Sequence, residues 1–244
     1  MSVVIGLLAG FFGGLLGIGG GVVMIPMMVG FLGVSQHRAH GTSMAAMVFI
    51  GLAGAATYGL KGSVDLAAGL YLAASAMATA HLGARYASKL SELRLRRCFG
   101  VFLVLVSGLM VSKPYISGFV IVAASGVGKA LVLLVAGVVT GFVAGLMGVG
   151  GGAIMVPAMV LFVGLSQHVA QGTSLLTMVP AGVVGAWTHM SLGNVDRRLL
   201  WGLVPGVIAG SYLGGSAALF LPAGTLRVVF AVVLAWTGVR YLRR

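Results

Sequence analysis

The stretch LLGIGGGVVMIP, residues 15–26, places four glycines within five consecutive positions of an otherwise apolar run. Almost the same phrase returns 131 positions later as LMGVGGGAIMVP, residues 146–157. Glycine clusters often form phosphate-binding loops, but a dinucleotide loop needs a preceding strand and an acidic residue ~20 positions on, and a P-loop ends in Gly-Lys-Ser/Thr. Neither phrase has these features, so the sequence predicts a duplicated break in a hydrophobic segment.

The composition indicates which solvent surrounds the chain. Hydrophobic residues make up 59% of its 244 positions and charged residues only 7%, whereas soluble domains carry about 25% charged residues. Such a chain cannot cover a water-facing surface, and its apolar runs have the length, ~20 residues, that crosses a bilayer as a helix. Because the runs lack the alternation of a membrane barrel, the sequence predicts an all-α polytopic membrane protein.

The formal net charge of +12 raises the question of a nucleic-acid partner. The basic residues, however, lie at the ends of apolar runs, as expected when positive residues gather on the cytoplasmic side of a membrane. We therefore predict a lipid bilayer, and no nucleic acid, as a partner. The one cysteine, Cys98, cannot form an internal disulfide and is interpreted as a packing residue.

The glycine phrase is the best-preserved part of a longer internal repeat. Residues 17–44 align with residues 148–175 without a gap, and 17 of the 28 positions are identical. Weaker matches continue beyond the aligned block. We therefore predict a first transmembrane repeat at 1–112, a linker at 113–131 and a second transmembrane repeat at 132–244.

The apolar runs that contain the glycines, 2–34 and about 130–165, are too long for one simple crossing. About 32 residues of helix reach ~48 Å, against a hydrocarbon core of ~30 Å. Glycine adopts positive φ angles and has no side chain, so the tip can either reverse the chain or break one long crossing. With three further transmembrane helices in each repeat, the chain has about eight helical segments.

The distribution of positive charge favours chain reversal at each tip and inverted repeats. If each long run enters and leaves on one side, each half crosses three times, and the basic residues divide 11 to 4 between the two sides. If each run crosses once, they divide 8 to 7. The first arrangement agrees with the positive-inside rule and places both termini in the cytoplasm. The apolar stretch 115–128 leaves open a ninth crossing with the same inversion, although fourteen residues are marginal for spanning.

The glycine tips are predicted to bind an anion. The first N–H groups of a helix have no partner within the helix and carry partial positive charge, so a helix start binds anions without arginine. The GTS phrase that follows each tip either caps a helix start or offers hydroxyl groups to the same anion. The alternative for the glycines is close helix packing. The predicted substrate-binding residues are Gly19, Gly20, Gly21, Thr42, Ser43, Gly150, Gly151, Gly152, Thr173 and Ser174.

Polar residues outside the tips are candidates for supporting roles. Gln-His pairs repeat between the first two apolar runs, where they either form a gate or vestibule or anchor the chain at the membrane interface; they are Gln36, His37, Gln167 and His168. His81 and His189 fall in or near apolar runs, where a histidine could carry a coupling proton. Neither recurs in the repeat, because Tyr212 aligns with His81 and Tyr58 aligns with His189.

Carboxylates are scarce and do not form a catalytic or metal-binding group. Asp65 and Asp196 recur in the two repeats just before the third apolar run, where helix caps are expected. Glu92 is the remaining acid, in a basic loop. The sequence therefore predicts no enzyme activity, no metal and no cofactor.

The two GxGGGxxxxP phrases, Gly17–Pro26 and Gly148–Pro157, each followed by GTS, resemble those of the sulfite exporter TauE/SafE family. The resemblance extends over nearly the whole chain. It implies about eight helical segments in the cell inner membrane and movement of sulfur oxyanions or organosulfonates across it, often as export.

Residues and resemblance together predict a secondary transporter, an exporter of a small sulfur-containing oxyanion such as sulfite or an organosulfonate. Alternating access would take place around the two glycine-rich tips. The alternative is an anion channel that uses the same tips as a filter. The exact substrate, the direction, the coupling ion and a homodimer all stay open.

Overall fold

A computed structural model describes residues 1–87, 89, 91–112 and 126–243, which form helices and no strand. Among these residues, six helices are long and apolar enough to cross a membrane. The predicted all-α polytopic membrane fold is confirmed. In chain order the helices are α1 (Ser2–Leu16), α2 (Gly21–Leu32), α3 (Gln36–Gly59), α4 (Leu66–Ala87), α5 (Glu92–Ser112), α6 (Gly126–Met147), α7 (Gly152–Ala158) with a π-helical continuation (Met159–Val163), α8 (Gln167–Ser191), α9 (Arg197–Phe220) and α10 (Ala223–Arg243).

The order of helices repeats along the chain. Helices α2 to α5 begin at positions 21, 36, 66 and 92, and helices α7 to α10 begin 131 positions later in each case. Helix α6 begins at Gly126, within the stretch predicted as a linker, and residues 113–125 of that stretch lie outside the described residues. The boundaries 1–112, 113–131 and 132–244 stay our proposal for the two repeats and their connection.

The glycine tips reverse the chain. Helices α1 and α3 both run parallel to α9. Their later residues Gly14 and Gly54 approach Ser211, whereas the earlier residue Gly6 meets Leu203 and Gly41 meets Asn194, just before α9. The intervening helix α2 must therefore run in the opposite direction. After the tip the chain folds back on α1, since a methyl group on Gly13 would lie 2.8 Å from the backbone nitrogen of Gly20. The interpretation of a break within one long crossing is wrong for this tip.

Equivalent helices of the two halves run antiparallel. In α3 and α8, Gly51 meets Leu175, whereas the earlier residue Met44 meets the later residue Gly185. In α5 and α10, Gly100 meets Gly238, whereas the later residue Ser107 donates a hydrogen bond of 2.8 Å to the carbonyl oxygen of the earlier residue Ala231. Antiparallel pairing of repeat-related spans is the relationship expected of inverted repeats in a membrane.

Many glycines outside the tips serve close helix packing. Helices α1 and α9 approach each other along glycine stripes, and a methyl group on Gly10 would lie 2.5 Å from the carbonyl oxygen of Val207. Helices α4 and α6 pack in the same way at Gly83 and Gly141. Small residues let transmembrane backbones approach closely, which is how helices associate where no hydrophobic driving force acts between them. This packing fixes each first hairpin arm against the opposite half.

Candidate functional site

Each tip has a backbone conformation that requires glycine. Gly19 and Gly20 have φ angles of 81° and 73°, and their repeat partners Gly150 and Gly151 have φ angles of 93° and 70°. Residues with a Cβ atom rarely adopt this left-handed region. The glycine cluster is therefore explained by the reversal of the chain before α2 and α7.

The two tips meet in the interior. A methyl group on Gly19 would lie 3.1 Å from the Cα atom of Gly150, and a methyl group on Gly150 would lie 3.1 Å from the Cα atom of Gly19. The starts of the second arms also interlock, because Gly21 contacts the carbonyl of Gly148 and Gly152 contacts the carbonyl of Gly17. Of the six glycines predicted as binding residues, four therefore meet across the two halves, whereas Gly20 and Gly151 face Ala9 and Thr140 of their own first arms.

The expectation that the GTS phrases open a helix is wrong. Helices α3 and α8 begin at Gln36 and Gln167, six residues before Thr42 and Thr173. At the start of α8 the Ser166 hydroxyl accepts a hydrogen bond of 3.3 Å from the Val169 N–H, which is an ordinary N-cap. The polar residues before each GTS phrase are accommodated within these helices, so the hydroxyls lie in the second turn.

The serine hydroxyls anchor the tips across the two halves. Ser43 donates a hydrogen bond of 2.6 Å to the carbonyl oxygen of Gly148, and Ser174 donates one of 2.7 Å to the carbonyl oxygen of Gly17. Both serines are fully buried. Because a hydroxyl has a single hydrogen to donate, these carbonyl contacts leave the serines little capacity to donate to an anion.

The threonine hydroxyls are used differently. Thr42 accepts a hydrogen bond of 2.9 Å from the backbone N–H of Asp196, and Thr173 accepts one of 2.9 Å from the backbone N–H of Asp65. An accepting hydroxyl keeps its own hydrogen for donation. Of the predicted hydroxyl groups, the two threonines are therefore the ones with donor capacity left.

The expected aspartate caps are confirmed. Asp65 Oδ1 accepts a hydrogen bond of 2.9 Å from the Ala68 N–H, and Asp196 Oδ1 accepts one of 3.0 Å from the Leu199 N–H. Asp65 also pairs with Lys129 at 3.0 Å. Partial burial raises the pKa of the Asp65 carboxyl, but the Ala68 N–H and the Lys129 ammonium outweigh burial and hold the pKa below its ordinary value.

Comparisons with known proteins identify the family of the chain. Residues 1–110 match the sulfite exporter TauE/SafE family. Over 97% of the chain, 31% of the residues are identical to those of a probable membrane transporter protein of Bacillus subtilis, YunE, 94% of which is covered. The chain belongs to the TauE/SafE family. It is a membrane transporter and not an enzyme, as predicted.

Further relatives of this TauE/SafE transporter carry similar names. The chain is 25% identical to the probable membrane transporter protein YdhB of Bacillus subtilis, with 96% of each chain covered. It is 26% identical to a probable membrane transporter protein of Haemophilus influenzae, covering 96% of this chain and 94% of that one. No solved structure matches the chain.

The Gln-His pairs of this TauE/SafE transporter lie at the starts of the antiparallel helices α3 and α8. His168 lines a pocket of about 700 Å³ together with Lys61, and its Nε2 atom lies 3.1 Å from the carbonyl oxygens of Ala218 and Leu221. Gln167 is buried, whereas Gln36 and His37 are half-buried. The gate or vestibule role stays a prediction for all four residues.

Two residues near the first tip were missed from the sequence. Tyr58 is fully buried, and its hydroxyl lies 3.1 Å from the carbonyl oxygen of Gly14 and 3.2 Å from Gln171 Oε1. Gln171 packs against Gly17, and its Nε2 atom is buried without a hydrogen-bond partner. The available signal was a mismatch: Tyr58 and Gln171 occupy repeat positions at which the other half carries histidine.

Proposed function

We propose that this transporter moves a small sulfur oxyanion, such as sulfite or an organosulfonate, out of the cytoplasm by alternating access. The observation that carries the proposal is the contact between two glycine tips from opposite halves, each at the start of a helix. Helix starts present N–H groups and partial positive charge. Two of them converging on one centre suit an anion with several acceptor oxygens.

The chemistry around the tips supports reversible binding. Among the residues whose side chains the structure describes, no lysine, arginine, aspartate or glutamate is buried. The sulfur atoms of Met47 and Met178 lie beside the tips, at 3.0 Å from a methyl group on Gly150 and 2.9 Å from one on Gly19. Backbone dipoles in an apolar setting attract an anion without a fixed countercharge that would hold it permanently, which suits a carrier.

Binding between the tips requires the halves to move. Gly19 and Gly150 are in backbone contact, so an oxyanion fits between them only when the tips separate. The serine anchors tie each tip to α3 or α8 of the opposite half, so rocking of one half against the other would change the spacing between tips. Such rocking around a central site is the usual basis of alternating access in inverted repeats.

A pocket at one membrane face lies on the way to the first tip. The pocket at His168 is lined by Lys61, whose exposed ammonium would attract anions. Thr57 lines the same pocket, and the next residue, Tyr58, hydrogen-bonds toward the tip. We assign this pocket to the non-cytoplasmic face, with both termini in the cytoplasm, and Tyr58 with Gln171 to the barrier between pocket and tip.

Counterflow in proteoliposomes tests the proposal. Vesicles loaded with unlabelled anion should take up labelled anion transiently and saturably, after a binding screen of the purified protein against sulfite, sulfoacetate, taurine, thiosulfate and sulfate. Conductance without saturable counterflow would instead indicate a channel. A protein that binds none of these anions would contradict the proposed substrate class.

A further inference from the structure

The two halves differ in the hydrogen bond that supports the first arm of each hairpin. In the first half the Tyr58 hydroxyl lies 3.1 Å from the carbonyl oxygen of Gly14. In the second half His189 Nε2 lies 2.8 Å from the carbonyl oxygen of Gly145. Each pair is related to the other by the repeat spacing of 131 positions. The same bond is therefore made by a phenol in one half and by an imidazole in the other.

The bond to Gly145 determines where His189 can take up a proton. A carbonyl oxygen only accepts, so Nε2 must carry the hydrogen, and the lone pair of the neutral ring lies on Nδ1. Nδ1 is buried and has no hydrogen-bond partner, and the side chain is 1% exposed. No other histidine in the described part of the chain is buried. His189 thus offers one interior proton-accepting atom.

The surroundings of His189 offer a buried imidazolium partial negative charge but no full counter-charge. Gly145 lies in the last turn of α6, where unpaired carbonyls carry partial negative charge and favour a cation. A full counter-charge is also needed at this depth. No carboxylate is buried among the side chains that the structure describes. An anionic ligand at Gly148–Gly151 would provide this counter-charge.

Charged and titratable groups on the elements packed against α8 do not supply that counter-charge. They are His37, Arg38, His40 and Tyr58 on α3, Tyr71, His81, Arg85 and Tyr86 on α4, Lys129 on α6 and Arg240 and Arg243 on α10. None of these groups carries a negative charge near neutral pH, so none can pair with an imidazolium at His189. Asp196 lies beyond the end of α8 and pairs with Arg38 at 3.5 Å.

We propose that Nδ1 of His189 is a proton-binding site that couples one proton to the anion bound at the glycine tips. This inference rests on the proposed function, because the tip anion supplies the missing negative charge. Gly145 is three positions before Gly148, so the carbonyl that holds the ring lies about one helical turn from the second tip. By linkage, the proton tightens anion binding by the same factor by which the anion tightens proton binding. A neutral phenol does not take up a proton near neutral pH, so Tyr58 cannot replace His189 in this role. The coupling therefore belongs to the second half.

The repeat provides its own test variant, His189→Tyr, which copies the residue that makes the equivalent bond in the first half. The matched control is His81→Tyr, which copies Tyr212 at the repeat-related position. Purified full-length protein is titrated with thiosulfate, whose charge does not change between about pH 6 and 8, the interval in which histidine titrates. Wild type and His81→Tyr should bind thiosulfate about tenfold more tightly at about pH 6 than at about pH 8. The affinity of His189→Tyr should change less than about twofold over the same interval.

Proton uptake measured with an indicator dye in weak buffer gives a second readout. Wild-type protein should take up as much as one proton per thiosulfate bound, and His189→Tyr should take up none. Proton uptake can be measured on the wild-type protein alone, so it still tests the coupling if His189→Tyr fails to fold. Unchanged pH dependence in His189→Tyr, or wild-type binding without uptake, would overturn the proton site and leave the anion site standing. Wild-type protein that binds no anion at any pH would overturn both.

Discussion

The Ser43 hydroxyl donates a hydrogen bond of 2.6 Å to the carbonyl oxygen of Gly148, a residue 105 positions away in the other half. Ser174 makes the repeat-related bond to Gly17. Each tip is therefore held by the half to which it does not belong. The pair of anchored tips therefore needs both repeats, and any movement between the halves acts directly on both tips.

Removal of one anchor should loosen one tip. Ser43→Ala leaves the Gly148 carbonyl without its buried donor and should lower the free energy of unfolding by about 0.6 kcal/mol, the average for hydrogen bonds between membrane helices, and by no more than about 1.7 kcal/mol. Thiosulfate affinity should fall as well, because the tip is less well ordered. Ser112→Ala is the control, since that hydroxyl bonds the Gly108 carbonyl of its own helix. Equal effects of the two variants on affinity would argue against the anchoring role.

Side chains at the tip centre should block transport. Gly19→Val places a β-branched residue at a φ angle of 81° and against Gly150, where no space exists. We expect membrane insertion to persist and counterflow to fall below detection. Gly30→Val is the matched control, because Gly30 lies on α2 with no atom within 4 Å of an added methyl group. Normal counterflow by Gly19→Val would remove the tips from the transport site.

The fold followed from local features that the sequence displays directly. Chain reversal at Gly19 and Gly20 requires positive φ angles, which the glycine cluster in the sequence permits. The unequal distribution of basic residues indicated the inverted arrangement. The start of α3 at Gln36 was missed because the polar residues before Thr42 do not extend an apolar run. Their inclusion in a helix depends on packing against the other half, for example Gly41 against Asn194.

The roles of individual side chains at the site could not be read from the sequence for a related reason. Ser43 and Thr42 are adjacent and both repeat, yet one donates to a tip and the other accepts from Asp196. These partners lie more than a hundred positions away, so only the packed structure distinguishes them. His189 and Tyr58 were set apart by their failure to match, although they occupy equivalent places.

The donor capacity of Thr42 can be separated from its structural bond. Thr42→Val removes the acceptor for the Asp196 N–H and the free hydroxyl hydrogen together, so both stability and affinity should fall, affinity by about fivefold to tenfold. Thr42→Ser keeps the hydroxyl and should bind thiosulfate within about twofold of wild type. If Thr42→Val loses stability but keeps its affinity, the hydroxyl is a structural tie alone.

The inverted arrangement predicts opposite sidedness for two repeat-related positions. Lys89 and Phe220 are both exposed and are separated by the repeat spacing. In a background with Cys98 replaced by alanine, Lys89→Cys should react with a membrane-impermeant maleimide only from the cytoplasmic side, and Phe220→Cys only from the opposite side. Labelling is measured in sealed right-side-out and inverted vesicles, with permeabilised vesicles as the control for reactivity. Reaction of both cysteines from the same side would rule out inverted repeats, since halves in parallel orientation place equivalent loops on one face.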